Sequence, residues 1–175
     1  MINMFSTTAN KITLFRIILV PVFLFLAYTD RLKWALAVYI TASVSDFADG
    51  YIARNYNQVS DTGKFLDPLA DKMLVLSAMC YFIEAGQMSG WVVAAVLFRE
   101  FAVSGLRLIA VEKGRVIAAA WSGKIKTAAT MVCLGVMMLF PNHEILNMIC
   151  SAIILITTVY SGVEYFLKNK DVLKA

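Results

Sequence analysis

The sequence predicts an all-α integral membrane protein, a single domain over residues 1–175 with six transmembrane helices in a compact bundle. Three observations carry that expectation. Hydrophobic residues make up 60% of the chain and the mean hydropathy is +0.72, whereas an ordinary globular domain is about half apolar. The surplus has to face lipid, because a soluble chain of this composition would expose large apolar patches. Six apolar segments follow one another, each near the ~20 residues that cross ~30 Å of hydrocarbon as a helix. The links between them are short, as in a bundle of antiparallel neighbours. No period-two alternation suggests a barrel, and helices satisfy their own backbone where no water can.

The first segment covers residues 12–29. Lys11 and Arg16 open it, but no small-x-small cleavage site follows, so it reads as an uncleaved span rather than a signal peptide. Thr29-Asp30-Arg31-Leu32 turns the chain into the second segment, 33–54. A longer connection from about Asn55 to Phe65 leads to the third, 66–86, and Gly86-Gln87-Met88-Ser89 leads to the fourth, 89–112. Glu112-Lys113-Gly114-Arg115 and Phe140-Pro141-Asn142-His143 bracket the fifth, 117–140, and the sixth is 144–167. Lys11, Arg54, Lys64, Lys113, Arg115, Lys168, Lys170 and Lys174 fall on one side of this arrangement; the other side holds Arg31, with Lys33 just after it. Cytoplasmic cations set orientation, so the expectation is a multi-pass protein of the cell membrane with both termini cytoplasmic.

The formal charge of +4 sits mainly at helix ends and in connections. It reads as a topology signal and as ligands for anionic headgroups or phosphates, and nucleic acid is not expected as a partner. Cys80, Cys133 and Cys150 lie in apolar runs without CxxC spacing and read as small buried hydrophobes. His143 stands alone in a turn, and one histidine makes no histidine metal site.

Chemistry concentrates where the second segment ends and the third begins. Asp46 and Asp49 are three apart, with Gly50 and Ala53 at +4 and +7 from Asp46, so all four share one helical face. Asp67 and Asp71 are four apart and share a face as well. The intervening connection returns the chain, which brings both pairs to one cytoplasmic end of a helical hairpin. An aspartate within a span costs about 2.5–3.5 kcal/mol, less near the interface, and facing pairs add repulsion. Solvated helix ends, or ion pairs with Arg54, Lys64 and Lys72, are the bland alternative. Two Mg2+ or Mn2+ ions resolve the problem better, since all-oxygen ligands suit hard cations. Gly50 and Ala53 leave room for a flat ligand against the helix, although small residues also serve close helix packing.

Read as D-x2-D-G-x2-A-R-x8-G-x3-D-x3-D, the residues Asp46, Asp49, Gly50, Ala53, Arg54, Gly63, Asp67 and Asp71 match at every position. That pattern resembles the signature of the CDP-alcohol phosphotransferase family, six-helix membrane enzymes of phospholipid synthesis. The resemblance implies that Asp46, Asp49 and Asp67 ligate two divalent metals, with Asp71 as partial ligand and general base. It implies that Gly50, Ala53 and Arg54 form the surface for the cytidine nucleotide, and that Ser60 places a hydroxyl on the diphosphate. The run from Asn10 to Arg16, including Thr13, is similar to the segment that helps hold that diphosphate. Relatives are commonly homodimers, which implies the same here.

The fourth segment carries Arg99, Glu100, Ser104 and Arg107, and the fifth opens Gly123-Lys124-Ile125-Lys126-Thr127. Fixed charges this deep in a span are functional by default. Arg99 and Arg107 lie within about 80° of each other on a helix and could face one cavity; an internal Glu100–Arg107 pair that only locks packing is the alternative. Lys124 and Lys126 are two apart and splay, so one can meet substrate while the other meets lipid headgroups. A cavity lined by Arg99, Arg107, Lys124 and Lys126 suits an acceptor that bears a phosphate.

These runs, with Ser161-Gly162-Val163-Glu164-Tyr165-Phe166, are similar to the bacterial branch of that family which joins CDP-diacylglycerol to sn-glycerol 3-phosphate and releases CMP. The resemblance implies an acceptor phosphate on Arg107 and Lys124, and Asp71 taking the proton of its 1-hydroxyl. Another acceptor within the family, such as inositol phosphate, serine or a second lipid, is the nearest rival. A cation or proton transporter would also carry intramembrane acids, but repeated halves and broken helices are not apparent. A non-catalytic scaffold leaves the acid spacing unexplained.

Overall fold

The computed structural model describes the backbone of residues 8–56, 61–118 and 120–173, and the side chains of 13–45, 69–70, 72–118 and 120–172. Among the described residues there are six α-helices, a short 3-10 helix and no strand. The helices are α1 (Thr8–Tyr28), α2 (Leu32–Tyr56), α3 (Asp61–Glu84), α4 (Gly90–Glu112), α5 (Trp121–Leu139) and α6 (Glu144–Lys168), with the 3-10 turn at Lys170–Leu173. They coincide with the six apolar segments. The edges differ most where α3 starts at Asp61 rather than 66, and next where α1 starts at Thr8 rather than 12 and α5 at Trp121 rather than 117.

The chain divides into two compact units, Met1–Glu84 with Met138–Pro141 and Ala85–Met137 with Asn142–Ala175. In the first, α1 packs along both α2 and α3, which touch each other over a shorter length. The buried face of α1 is Thr13, Arg16, Val20, Phe23 and Ala27, the alternating three- and four-residue step of one helical stripe. Ala35 and Ala42 of α2 and Ala70 and Ala78 of α3 are fully buried or nearly so; small side chains let backbones approach closely. Phe23 and Tyr39 pack with ring centroids 6.1 Å apart, and Tyr28 meets Tyr81 edge-on at 5.4 Å. Asp30, with φ of 58°, ends α1: the Arg31 amide donates to the Leu26 carbonyl at 3.0 Å, a six-to-one closure that needs a left-handed residue.

In the second unit α4 packs against α6 and against the 3-10 turn. Val103, Leu106, Ala110, Tyr165 and Val172 form a buried cluster, with Ile117, Ala120 and Phe166 packed on it. Residues 115–118 are not helical, which corrects the expected start of the fifth segment: Ile117 packs on this cluster instead of extending α5, while Val116 is exposed. Gly114, with φ of +72°, closes α4 through an Arg115 amide bond to the Ala110 carbonyl at 2.8 Å.

The polarity of α6 runs opposite to that of a soluble helix. Its buried stripe is Asn147, Cys150, Ile154, Thr158, Ser161 and Tyr165, while Ile145, Met148, Ile149, Ile153, Ile156, Val163 and Leu167 are exposed. Among the described residues it is the one helix long and apolar enough to cross a membrane unaided, with a mean hydropathy of 1.8 over its most apolar window. Thr13–Tyr28 and Leu32–Ser45 are shorter apolar runs. In α4 and α5, Arg99, Glu100, Arg107, Lys124 and Lys126 interrupt the apolar stretch, yet Phe98 and Phe101 remain 77% and 72% exposed.

Candidate active site

Asp46 and Asp49 lie within the unbroken helix α2, and Asp67 and Asp71 within α3. The three- and four-residue intervals therefore place each pair on one face of its helix, as the spacing requires. Both helices belong to the first unit and touch. The side chains of Asn10, Asp46, Asp49, Gly50, Ala53, Arg54, Asp67 and Asp71 lie outside the described residues, and so does the whole of Ser60. Of the sequence-predicted group in this unit, Thr13 is described, fully buried on the inward face of α1. Arg16, one turn further along the same face, is 4% exposed. A guanidinium so buried is a functional candidate in its own right, and the sequence shows it as a cation three residues from Thr13, followed by an apolar run to Ala27.

The second unit assembles its charged residues around Glu100. The Oε1 atom of Glu100 accepts from Arg99 Nη1 at 2.9 Å and from Lys126 Nζ at 2.8 Å. The other terminal nitrogen of Arg99 donates to Ser161 Oγ at 2.7 Å, so α4, α5 and α6 meet through one network. The side chains of Arg99, Glu100 and Lys126 are 13%, 20% and 7% exposed. Two glycines make room for it. A Cβ at Gly123 would stand 3.2 Å from Arg99 Nη2, and one at Gly162 would stand 3.3 Å from Arg99 Cγ.

Arg107 is engaged separately. Its Nε donates to Tyr165 Oη at 2.9 Å, and its guanidinium carbon lies 5.6 Å from the centre of the Tyr165 ring. Thus Glu100 bonds Arg99 and Lys126, not the Arg107 considered as its alternative partner. Seven residues of helix rise about 10.5 Å along the axis, too far for a glutamate and an arginine to meet easily, whereas Lys126 arrives from a neighbouring helix. Lys124 and Lys126 splay: Lys126 is buried and Lys124 exposed, with the Lys124 ammonium 5.0 Å from the Trp121 ring centre.

Sequence reasoning assigned no role to Ser161, Tyr165, Gly123 or Gly162. The available signal was the polar residues recurring every three or four positions through the most apolar helix.

A family model described as CDP-alcohol phosphatidyltransferase matches residues 6–160, a stretch that includes the four aspartates and all four candidate acceptor cations. The chain is 37% identical to the CDP-diacylglycerol–glycerol-3-phosphate 3-phosphatidyltransferase of Bacillus subtilis, over 94% of this chain and 96% of that protein. It is 37% identical to a probable phosphatidylglycerophosphate synthase of Mycobacterium tuberculosis, over 91% of this chain and 80% of the other. Against the Escherichia coli CDP-diacylglycerol–glycerol-3-phosphate 3-phosphatidyltransferase the identity is 40%, over 75% and 76%.

Proposed function

This chain belongs to the CDP-alcohol phosphatidyltransferase family, and from that premise we propose that it transfers the phosphatidyl group of CDP-diacylglycerol to sn-glycerol 3-phosphate, giving phosphatidylglycerophosphate and CMP. The observation that carries the choice of acceptor is the similarity, over nearly the whole chain, to relatives named for that transfer. The basic side chains of the second unit support it, because a phosphate-bearing acceptor needs cations and serine does not bring that demand.

Asp46, Asp49, Asp67 and Asp71 would hold two divalent cations, Mg2+ or Mn2+. Four carboxylates offer only oxygen, the donor set that hard cations take, and their register on two unbroken helices is compatible with shared ligation. The chemistry such ions supply is polarisation of the diphosphate and neutralisation of charge on the departing CMP. Asp71 accepts the proton of the acceptor's 1-hydroxyl. The oxygen freed in this way attacks the phosphorus next to the diacylglycerol, and the bond from that phosphorus to the CMP oxygen breaks. Asn10, Thr13, Gly50, Ala53, Arg54 and Ser60 bind the CDP-lipid. Arg107 and Lys124 take the acceptor phosphate, with Arg99 and Lys126 lining the same cavity. The bond from Arg107 Nε to Tyr165 leaves the two terminal nitrogens for a forked phosphate contact.

The same reading puts six spans of one domain in the cell membrane, with both termini and the active site cytoplasmic, and pairs two copies of the chain. Exposed apolar side chains on every helix and the inward polar stripe of α6 support the membrane placement.

The test is CMP release from CDP-diacylglycerol by the purified protein, offered sn-glycerol 3-phosphate, inositol phosphate or serine in turn, with and without chelator. Turnover confined to glycerol 3-phosphate and abolished by chelation is expected. Preference for either other acceptor would overturn the choice of substrate, and full turnover in excess chelator would remove the metals.

A further inference from the structure

We propose that Glu100 is a positioning residue for the acceptor, acting through Lys126 and Arg99; this rests on the phosphate-bearing acceptor proposed above. One carboxylate oxygen holds a cation from its own helix and another from α5, at 2.9 and 2.8 Å. Charge-assisted bonds of that length are about twice as strong as neutral ones. Lysine is otherwise a flexible stem with three rotatable donors. Bonding one of them to Glu100 fixes the direction of the remaining two.

Burial makes the carboxylate necessary. The Lys126 side chain is 7% exposed, on a helix face shared with Ser122, Thr130 and Cys133. An ammonium left there without an anion carries a large desolvation penalty, and it would swing away from that face. Arg99 is constrained on three sides, by Glu100, by Ser161 on α6 and by the clefts over Gly123 and Gly162. Glu100 also cancels one of the two positive charges it binds. An anionic acceptor therefore meets cations whose attraction is moderated, which favours departure of a product that still bears the phosphate. A network that only locked helices together could use neutral groups. This one sits among the cations of the second unit.

The decisive measurement compares wild type with Glu100→Gln, Glu100→Asp, Lys126→Met and the double variant Glu100→Gln/Lys126→Met, reading kcat and the KM of each substrate separately. Glu100→Gln keeps the shape and an acceptor oxygen but removes the charge. A kcat reduced roughly tenfold to a hundredfold is expected, the scale of a misplaced binding group. The KM for glycerol 3-phosphate should move while that for CDP-diacylglycerol stays within about twofold. Glu100→Asp should recover part of the loss, and the double variant should be no slower than the worse single one, since both changes cut one linkage. Losses that multiply in the double variant, or equal changes in both KM values, would overturn the positioning role. So would lowered thermal stability with unchanged kinetics per folded molecule. If wild type instead turns over inositol phosphate, the choice of acceptor fails, and the same ratios measured with that acceptor still decide the role of Glu100.

Discussion

The two units handle charge in opposite ways. In the first, four aspartates recur at three- and four-residue spacing on α2 and α3, the set proposed above to take cations from outside the chain. In the second, every candidate cation already has a partner within the unit: Arg99 and Lys126 share Glu100, Arg107 rests on Tyr165 and Lys124 on Trp121. Clustered acids suit metal; cations held by their neighbours suit a substrate that must bind and leave. The contrast divides the proposed reaction into a metal-dependent donor half and a metal-independent acceptor half, and each can be attacked separately.

The largest effect should come from the acidic unit. Asp71→Asn is expected to fold and to lower CMP release by about 10²–10⁴-fold, the usual contribution of a general base. Chelation should abolish turnover by wild type, with recovery on adding Mg2+ or Mn2+. A variant as fast as wild type would end the role given to Asp71. Next in size, Arg107→Ala and Lys124→Ala should each raise the KM for glycerol 3-phosphate about tenfold to a hundredfold, as loss of a charged hydrogen bond worth ~1.5–3 kcal/mol implies. The KM for the CDP-lipid should stay nearly constant. If both constants rise together, the division between halves is wrong. Tyr165→Phe removes one bond to Arg107 and keeps the ring, so a rise of about fivefold in the acceptor constant is expected, near 1 kcal/mol.

The smallest effect concerns stability alone. The hydrogen bond from Arg115 holds the Asp171 carboxyl below the usual aspartate range. A lowered carboxylate pKa stabilises the fold above its ordinary value, and the contribution is lost as pH falls through the lowered one. Both groups are about half exposed, so Asp171→Asn should shift the melting temperature only slightly, most above the ordinary aspartate range and progressively less as pH falls below it. A shift of the same size under acid conditions would count against the pairing.

Much of this is legible in the amino-acid sequence. Six apolar segments became six helices, and the aspartate spacing is a property of the helix itself. The misjudged edges have physical causes. Asp61-Thr62-Gly63-Lys64 reads as connection by polarity but continues as helix in α3. Val116 and Ile117 read as span, yet they are not helical, and Ile117 packs on the cluster around Tyr165. The pairings in the second unit were not readable, because the contacts Glu100–Lys126 and Arg107–Tyr165 depend on how each helix is rotated toward its neighbour. Periodicity gives a face without saying what the face meets.

The Glu100–Lys126 linkage also bears on how the chain is made. In the six-span arrangement proposed above, α6 would partition from a translocon into a bilayer alone, whereas each buried charge at the centre of α4 would oppose entry by about 2.5–3.5 kcal/mol. Under that proposal, entry of α4 would become favourable once α5 delivers the ammonium that neutralises Glu100, so the two should insert as a hairpin. A nascent chain halted after Glu112 would hold α4 at the channel, waiting for a partner not yet synthesised.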